Sequence, residues 1–233
     1  VSLNALNIQA AMIDLDGTMV DTLGDFEEAL NRMLADLDLP KVTRYLVERT
    51  VGKGSEHLIR TVLAHQLALP EVAGLSNVCQ SRSADVLYEP AWQRYQHHYA
   101  KLNGQFAHVY PGVVEGLQGM RDAGWRLACI TNKPLAFAQG LLKVKGLDAF
   151  FDHVFGGDSF ERKKPDPMPL LKTCQALGSL PAQTLMVGDS SNDAQAAHAA
   201  GCPVVLVTYG YNHGEPIHAV KADAWVDSLA LLN

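Results

Sequence analysis

Asp14 and Asp16 stand two residues apart at the end of the apolar run Ala11-Met12-Ile13, with Gly17 and Thr18 directly behind them. If the backbone stays extended here, both carboxylates point to one side and Leu15 to the other. Like charges that close raise each other's cost of ionisation unless a cation or hydrogen bonds offset it. A hard cation that prefers oxygen ligands, such as Mg2+, is the natural partner. The same stretch also fits a strand running into a plain turn, because Asp-Gly is a common turn pair. The rest of the chain has to decide.

Further polar groups recur downstream: Thr131-Asn132, Lys164 ahead of Pro165, and Asp189-Ser190 with Asp193. Together they suit attack on a phosphate monoester, where an anion must be approached by an electron-rich oxygen. The remedy is in-line positioning with positive charge around the phosphoryl oxygens. Asp14 can be the nucleophile, forming an acyl-phosphate that splits the reaction into two easier steps. Asp16 can protonate the departing alkoxide and then take a proton from the attacking water. Lys164 would screen the phosphoryl group from Asp14, and Thr131 and Asn132 would donate to phosphoryl oxygens. Gly17 and Thr18 are further candidates for phosphate binding. Asp189 would bind Mg2+ with Asp14, and Asp193 would hold it directly or through a water.

The elements that must position these groups read as alternating strands and helices. A strand over 10-16 is followed by a helical pattern through Leu23, Phe26, Leu30, Met33, Leu34 and Leu37, with Thr22 as its cap and Asp25 completing a capping box. Helices are predicted at 43-50, 55-67 and 76-101, with Pro70 as an interruption and Pro90 demanding a kink or a break. Residues 19-105 show no convincing strand alternation and read as an all-helical insertion. Beyond them come a helix opened by Pro111 and stopped at Gly124, a strand at 126-131, a helix at 134-145 and a short strand at 153-155. A helix at 167-178, a strand at 184-188, a helix at 191-200 and strands at 203-207 and 223-226 complete the pattern. This implies an α/β fold, a three-layer Rossmann-like core around a mainly parallel sheet. The core is assigned to 1-18 and 106-233, and the helical cap to 19-105. Ligands of such sheets bind beyond the carboxyl ends of the strands, where the polar clusters fall.

Composition narrows the partners. Against 25 acidic residues stand 19 Lys plus Arg, a net charge of -6 that disfavours a nucleic-acid binder. Cys79, Cys129, Cys174 and Cys202 are scattered without CxxC spacing and read as small buried hydrophobes in a reducing compartment. No apolar run approaches membrane-spanning length and no leader pattern is evident, so a cytoplasmic location is expected.

Asp14-Leu15-Asp16-Gly17-Thr18, Thr131-Asn132, Lys164-Pro165 and Gly188-Asp189-Ser190-Ser191-Asn192-Asp193 resemble, in order, the four motifs of the haloacid-dehalogenase-like phosphatases. The resemblance implies Asp14 as nucleophile and Asp16 as acid/base, with the backbone carbonyl of Asp16 also meeting Mg2+. The presence of Asp16 favours a phosphatase over a dehalogenase, which needs no acid for its leaving group. Pro111-Gly112-Val113, Thr131-Asn132-Lys133-Pro134, Lys164-Pro165-Asp166-Pro167, Gly201-Cys202-Pro203 and Thr208-Tyr209-Gly210-Tyr211-Asn212 are similar to the group acting on phosphoglycolate. That likeness implies hydrolysis of 2-phosphoglycolate; a monomer or homodimer is expected. Other small sugar or acid phosphates, a phosphosugar mutase and a non-catalytic phosphate sensor remain the alternatives.

Smaller signals sit in the insertion. Gly52-Lys53-Gly54 could swing Lys53 over the site to meet a substrate carboxylate, with an ordinary solvated turn as the alternative. His57 and Arg60, one helical turn apart, are weaker candidates for substrate contact. Tyr88, Trp92, Tyr95 and Tyr99 form a packing stripe, and His97 and His98 face apart and make a poor metal pair.

Overall fold

The computed structural model describes residues 7–73 and 83–232. In chain order it contains β1 (Ala10–Ile13), β2 (Val20–Asp21), α1 (Leu23–Ala35), α2 (Arg44–Thr50), α3 (Ser55–Leu67), α4 (Pro70–Ala73), α5 (Ala84–Leu102) and β3 (His108–Val109). Then follow α6 (Val113–Asp122), β4 (Arg126–Ile130), α7 (Leu135–Val144), β5 (His153–Phe155), α8 (Met168–Leu177), β6 (Thr184–Gly188), α9 (Ser191–Ala200), β7 (Val204–Val207) and β8 (Ala224–Val226).

Six of these strands form one sheet in the order β5-β4-β1-β6-β7-β8, all neighbours parallel. β1 is therefore central, covered on both faces, and its side chains divide between two cores. Ala11, Ile13 and Leu15 join Leu117, Leu127, Leu141 and Leu185 on one face. Ala10 and Met12 join Leu170, Met186 and Ala197 on the other. A third cluster, built on Leu30, Met33, Ile59, Leu63, Tyr95 and Tyr99, lies in the inserted helices.

The first strand is shorter than its pattern suggests. Asp14 still donates its N–H to Val187, but the Leu15 carbonyl accepts from both Met19 and Val20, so the chain curls immediately after the strand. Ladder pairing stops at Ile13.

The insertion is helical from Leu23 onward, but a strand precedes it. Val20 and Asp21 pair antiparallel with Val109 and His108. Two-residue strands are too short to display alternation, which is why neither was anticipated. The capping box proposed for α1 does not form. Thr22 makes no side-chain cap bond, and Asp25 instead accepts the N–H groups of Gly104 at 2.6 Å and Phe106 at 2.7 Å. Asp25 is buried, and the two returning N–H groups outcompete a local cap.

Pro70 marks the expected interruption: α3 ends at Leu67, and Pro70 opens the short α4, a position where its missing N–H costs nothing. Pro90 sits inside α5, which remains one element; the helix bond it removes belongs to the carbonyl of Val86, an exposed residue whose neighbourhood offers water. The start of the helix expected from 76, and Cys79, lie outside the described residues. Among the described residues no helix is long and apolar enough to cross a membrane.

Candidate active site

The parallel register sets the site. Ile13 lies beside Cys129 and Val187, so the loops leaving β1, β4 and β6 start side by side on one sheet edge. They bring together Asp14 and Asp16, then Thr131, Asn132 and Lys133, then Asp189, Ser190 and Asp193. Lys164 arrives from the connection between β5 and α8, where its peptide bond to Pro165 is cis.

Lys164 is the hub. Its buried ammonium lies 2.9 Å from Asp14 Oδ1 and donates to Asp193 Oδ1 at 2.7 Å and to the Ile130 carbonyl at 2.9 Å. The contact with Asp14 is close without being an aligned hydrogen bond, which leaves Asp14 Oδ1 without an aligned donor. Asp193 uses its other oxygen to accept the N–H groups of Asp189 and Ser190 and the Ser190 hydroxyl. This fixes the start of α9, where an acid in the first turn is favoured.

Asp189 is held from two directions. Thr18 donates its hydroxyl to Oδ1 at 3.1 Å, and the N–H of Tyr211 donates to Oδ2 at 2.7 Å. Gly17, at φ +86, passes so close that a Cβ there would lie 2.3 Å from Asp189 Oδ2. The N–H of Gly17 goes to the Val20 carbonyl. Gly17 and Thr18 thus shape and hold Asp189 in this structure, and neither lines the pocket.

Burial pushes the Asp14 carboxyl up to about 7, against the pull of Lys164. Burial, then Asp193 and Asp14, push Asp189 well above the usual carboxylate range. Burial alone would lower Lys164, but Asp14 and Asp193 outweigh it and hold the ammonium. Oxygens of Asp14, Asp189 and Asp193 lie within 4.8 Å of one another. Lys164 pairs with Asp14 and Asp193 but not with Asp189, so full ionisation of the three carboxylates would leave two uncompensated negative charges, and Asp14 Oδ1 has no aligned donor. An all-oxygen set with that charge fits a hard divalent cation such as Mg2+. The Asp16 carboxylate stands apart from it, 2.8 Å from the Lys133 ammonium.

Thr131 accepts the Lys133 N–H, leaving its own hydroxyl hydrogen to donate. Asn132 spends its side-chain amide on the carbonyls of Gly52 at 3.0 Å and Lys164 at 2.9 Å. The backbone N–H of Asn132 makes no hydrogen bond among the described residues and is the donor it has left for a ligand.

Above these groups the inserted helices close a pocket with Phe26, Val51, Gly52, Gly54, Ser55 and Leu58. Lys53 is exposed and does not line it. Its backbone carbonyl accepts from Lys163. His57 is also exposed, its pKa lowered by burial and by Lys53 and Lys163. Arg60 is committed elsewhere, paired with Glu56 and Asp85 and lying over the Tyr88 ring. His98 pairs with Asp36 and His97 with Lys101, while Tyr95 and Tyr99 pack in the helical core.

Two pocket residues had no sequence signal of their own. Tyr211 lines the pocket, and its hydroxyl donates to Asp21 and accepts the N–H of Thr22, joining Asp189 to the base of the insertion. His213 lines the pocket with φ +51, a left-handed conformation unusual for a residue with a side chain. Only the stretch Thr208–Asn212, already singled out by its family likeness, pointed to this loop.

Residues 11–207 match the family described as haloacid dehalogenase-like hydrolase. The chain is 41% identical to a phosphoglycolate phosphatase of Thiobacillus denitrificans, covering 97% of this chain and 94% of the relative. It is 42% identical to a plasmid-encoded phosphoglycolate phosphatase of Cupriavidus necator, covering 98% and 93%. The crystal structure of a predicted phosphoglycolate phosphatase from Haemophilus somnus superposes with a TM-score of 0.88 at 33% identity, covering 97% of this chain and 96% of that one.

Proposed function

The chain belongs to the haloacid dehalogenase-like hydrolase family, and from that premise we propose that it is a Mg2+-dependent phosphatase of small phosphomonoesters, with 2-phosphoglycolate as its substrate. The observation that carries the hydrolase reading is the buried constellation in which Asp14 faces Lys164 beside Asp189 and Asp193. The substrate rests on likeness to relatives named for phosphoglycolate across nearly their whole length.

An oxygen of Asp14 attacks phosphorus as the bond to the alkyl oxygen breaks, and Asp16 gives its proton to the departing glycolate oxygen. Water then attacks the aspartyl-phosphate, the bond from phosphorus to Asp14 breaks, and Asp16 takes a proton from that water. Lys164 keeps Asp14 oriented and offsets phosphoryl charge, with Thr131 and the Asn132 backbone donating to phosphoryl oxygens. Asp14, Asp189 and the Asp16 backbone carbonyl, with Asp193 directly or through a water, would hold Mg2+, which would supply positive charge to the transferring group. Residues 19-105 act as a cap whose closure excludes bulk water and shapes the pocket, with Lys53 reaching the substrate carboxylate on closure.

The test is phosphate release from a panel of small phosphomonoesters with Mg2+ and with chelator. The expected result is the highest kcat/KM for 2-phosphoglycolate and loss of release on chelation. Preference for a sugar phosphate overturns the substrate. Phosphoryl transfer to a sugar without free phosphate would make the protein a mutase, and partner binding without turnover would make it a sensor.

A further inference from the structure

Lys133 is buried at the seam between the sheet edge and the inserted helices. Its side chain is 2% exposed, and lysine is almost never so buried without partners. Its ammonium donates to Asp16 Oδ1 at 2.8 Å. Among the described residues this is the single hydrogen bond made by the Asp16 carboxylate. The same nitrogen lies 4.5 Å from the centre of the Phe26 ring on α1 and 4.8 Å from that of Tyr99 on α5. Those rings stack on each other, and Tyr99 also meets Phe137 edge-on.

An ammonium taken from water needs compensation on every side, and here the sheet side supplies a carboxylate and the insertion supplies two π faces. Neither alone encloses it. The orientation of Asp16 and the seating of α1 and α5 over the sheet therefore depend on the same nitrogen.

We propose that Lys133 is a positioning residue that aims the Asp16 carboxyl group and makes that aim depend on the inserted helices being in place. When Phe26 and Tyr99 withdraw, Lys133 loses its apolar cover, water reaches it, and Asp16 loses its fixed direction. The inference rests on the reading of Asp16 as the proton-transfer group.

The test is a double-mutant cycle on phosphate release, with folding of each variant followed by circular dichroism. K133M is expected to lower kcat about 30-fold while KM stays within about threefold, with the loss growing as the leaving group becomes poorer, the trend also expected of D16N. Added to D16N, K133M should cost less than about threefold, because the group it aims is already gone. F26L, which removes one ring and keeps an apolar side chain, should show a smaller loss with the same leaving-group trend, and it carries the test if K133M does not fold. Additive losses in the cycle, a loss equal for all leaving groups, or an effect confined to KM overturns the inference alone. A wild-type protein that releases no phosphate from any ester overturns it together with the functional reading.

Discussion

The sheet edge and the inserted helices that face it are built on opposite terms. At the edge, polar side chains are buried and pinned by charge. Lys164 touches Asp14 and Asp193, and Asp189 is gripped by Thr18 and Tyr211. The helices present mainly apolar side chains and backbone, with Phe26, Val51, Gly52 and Leu58 on the pocket wall and the charged Lys53 outside it. Under the proposed function the difference separates tasks: the groups that make and break bonds stand at the end of a parallel sheet, and those that would meet the rest of the substrate stand on the inserted segment.

The largest effect expected under that division is from D14N. It should cut kcat by about 10^3-fold or more, because it removes the proposed attacking group. Without Mg2+ its melting temperature should not fall below that of the wild type, because burial already disfavours the Asp14 carboxylate. A clear loss of stability would mean that Asp14 is chiefly structural. Next in size is the metal. Mg2+ at about 100 times its Kd should stabilise the wild type by about 2.7 kcal/mol in calorimetry, and D189N should lose most of that shift together with activity. An unchanged shift in D189N would move the cation away from the sheet edge.

The other predictions probe the insertion. Asp25→Ala strands the buried N–H of Gly104 and the part-buried N–H of Phe106 and should cost about 2 kcal/mol of stability by urea unfolding. A cost within error would show that the junction is held by apolar packing alone. K53A should lower kcat/KM for 2-phosphoglycolate about tenfold and hardly change an ester that lacks a carboxylate. An equal loss for both would make Lys53 a residue that seats the loop and does not read the acid.

The same contrast explains what could be read in advance. Asp14, Thr131, Asn132, Asp189 and Asp193 follow strands whose apolar runs announce themselves, and a parallel sheet places all such ends on one edge. Asp25 has the spacing of a capping residue, and nothing local reveals that Gly104, 79 positions away, supplies its partner. Tyr211 is likewise 190 positions from Asp21, in a loop with no periodicity. Lys133 adjoins a recognised motif, yet its burial depends on rings from two helices that fold elsewhere in the sequence. The contacts of Gly17 and Thr18 with Asp189 are likewise invisible in the sequence, because they depend on a residue more than 170 positions away.

The ribbon of β2 and β3 carries one more consequence. Val20 lies across from Val109 and Asp21 across from His108, so the polypeptide leaves for the insertion and comes back at the same spot. A two-residue reverse turn can join antiparallel neighbours of that kind. Residues 22-107 thus leave and re-enter the core through one ribbon. A chain in which such a turn replaces them is expected to keep the six strands of the main sheet in their order, and loss of its cooperative unfolding transition would show that the sheet depends on the helices packed against it.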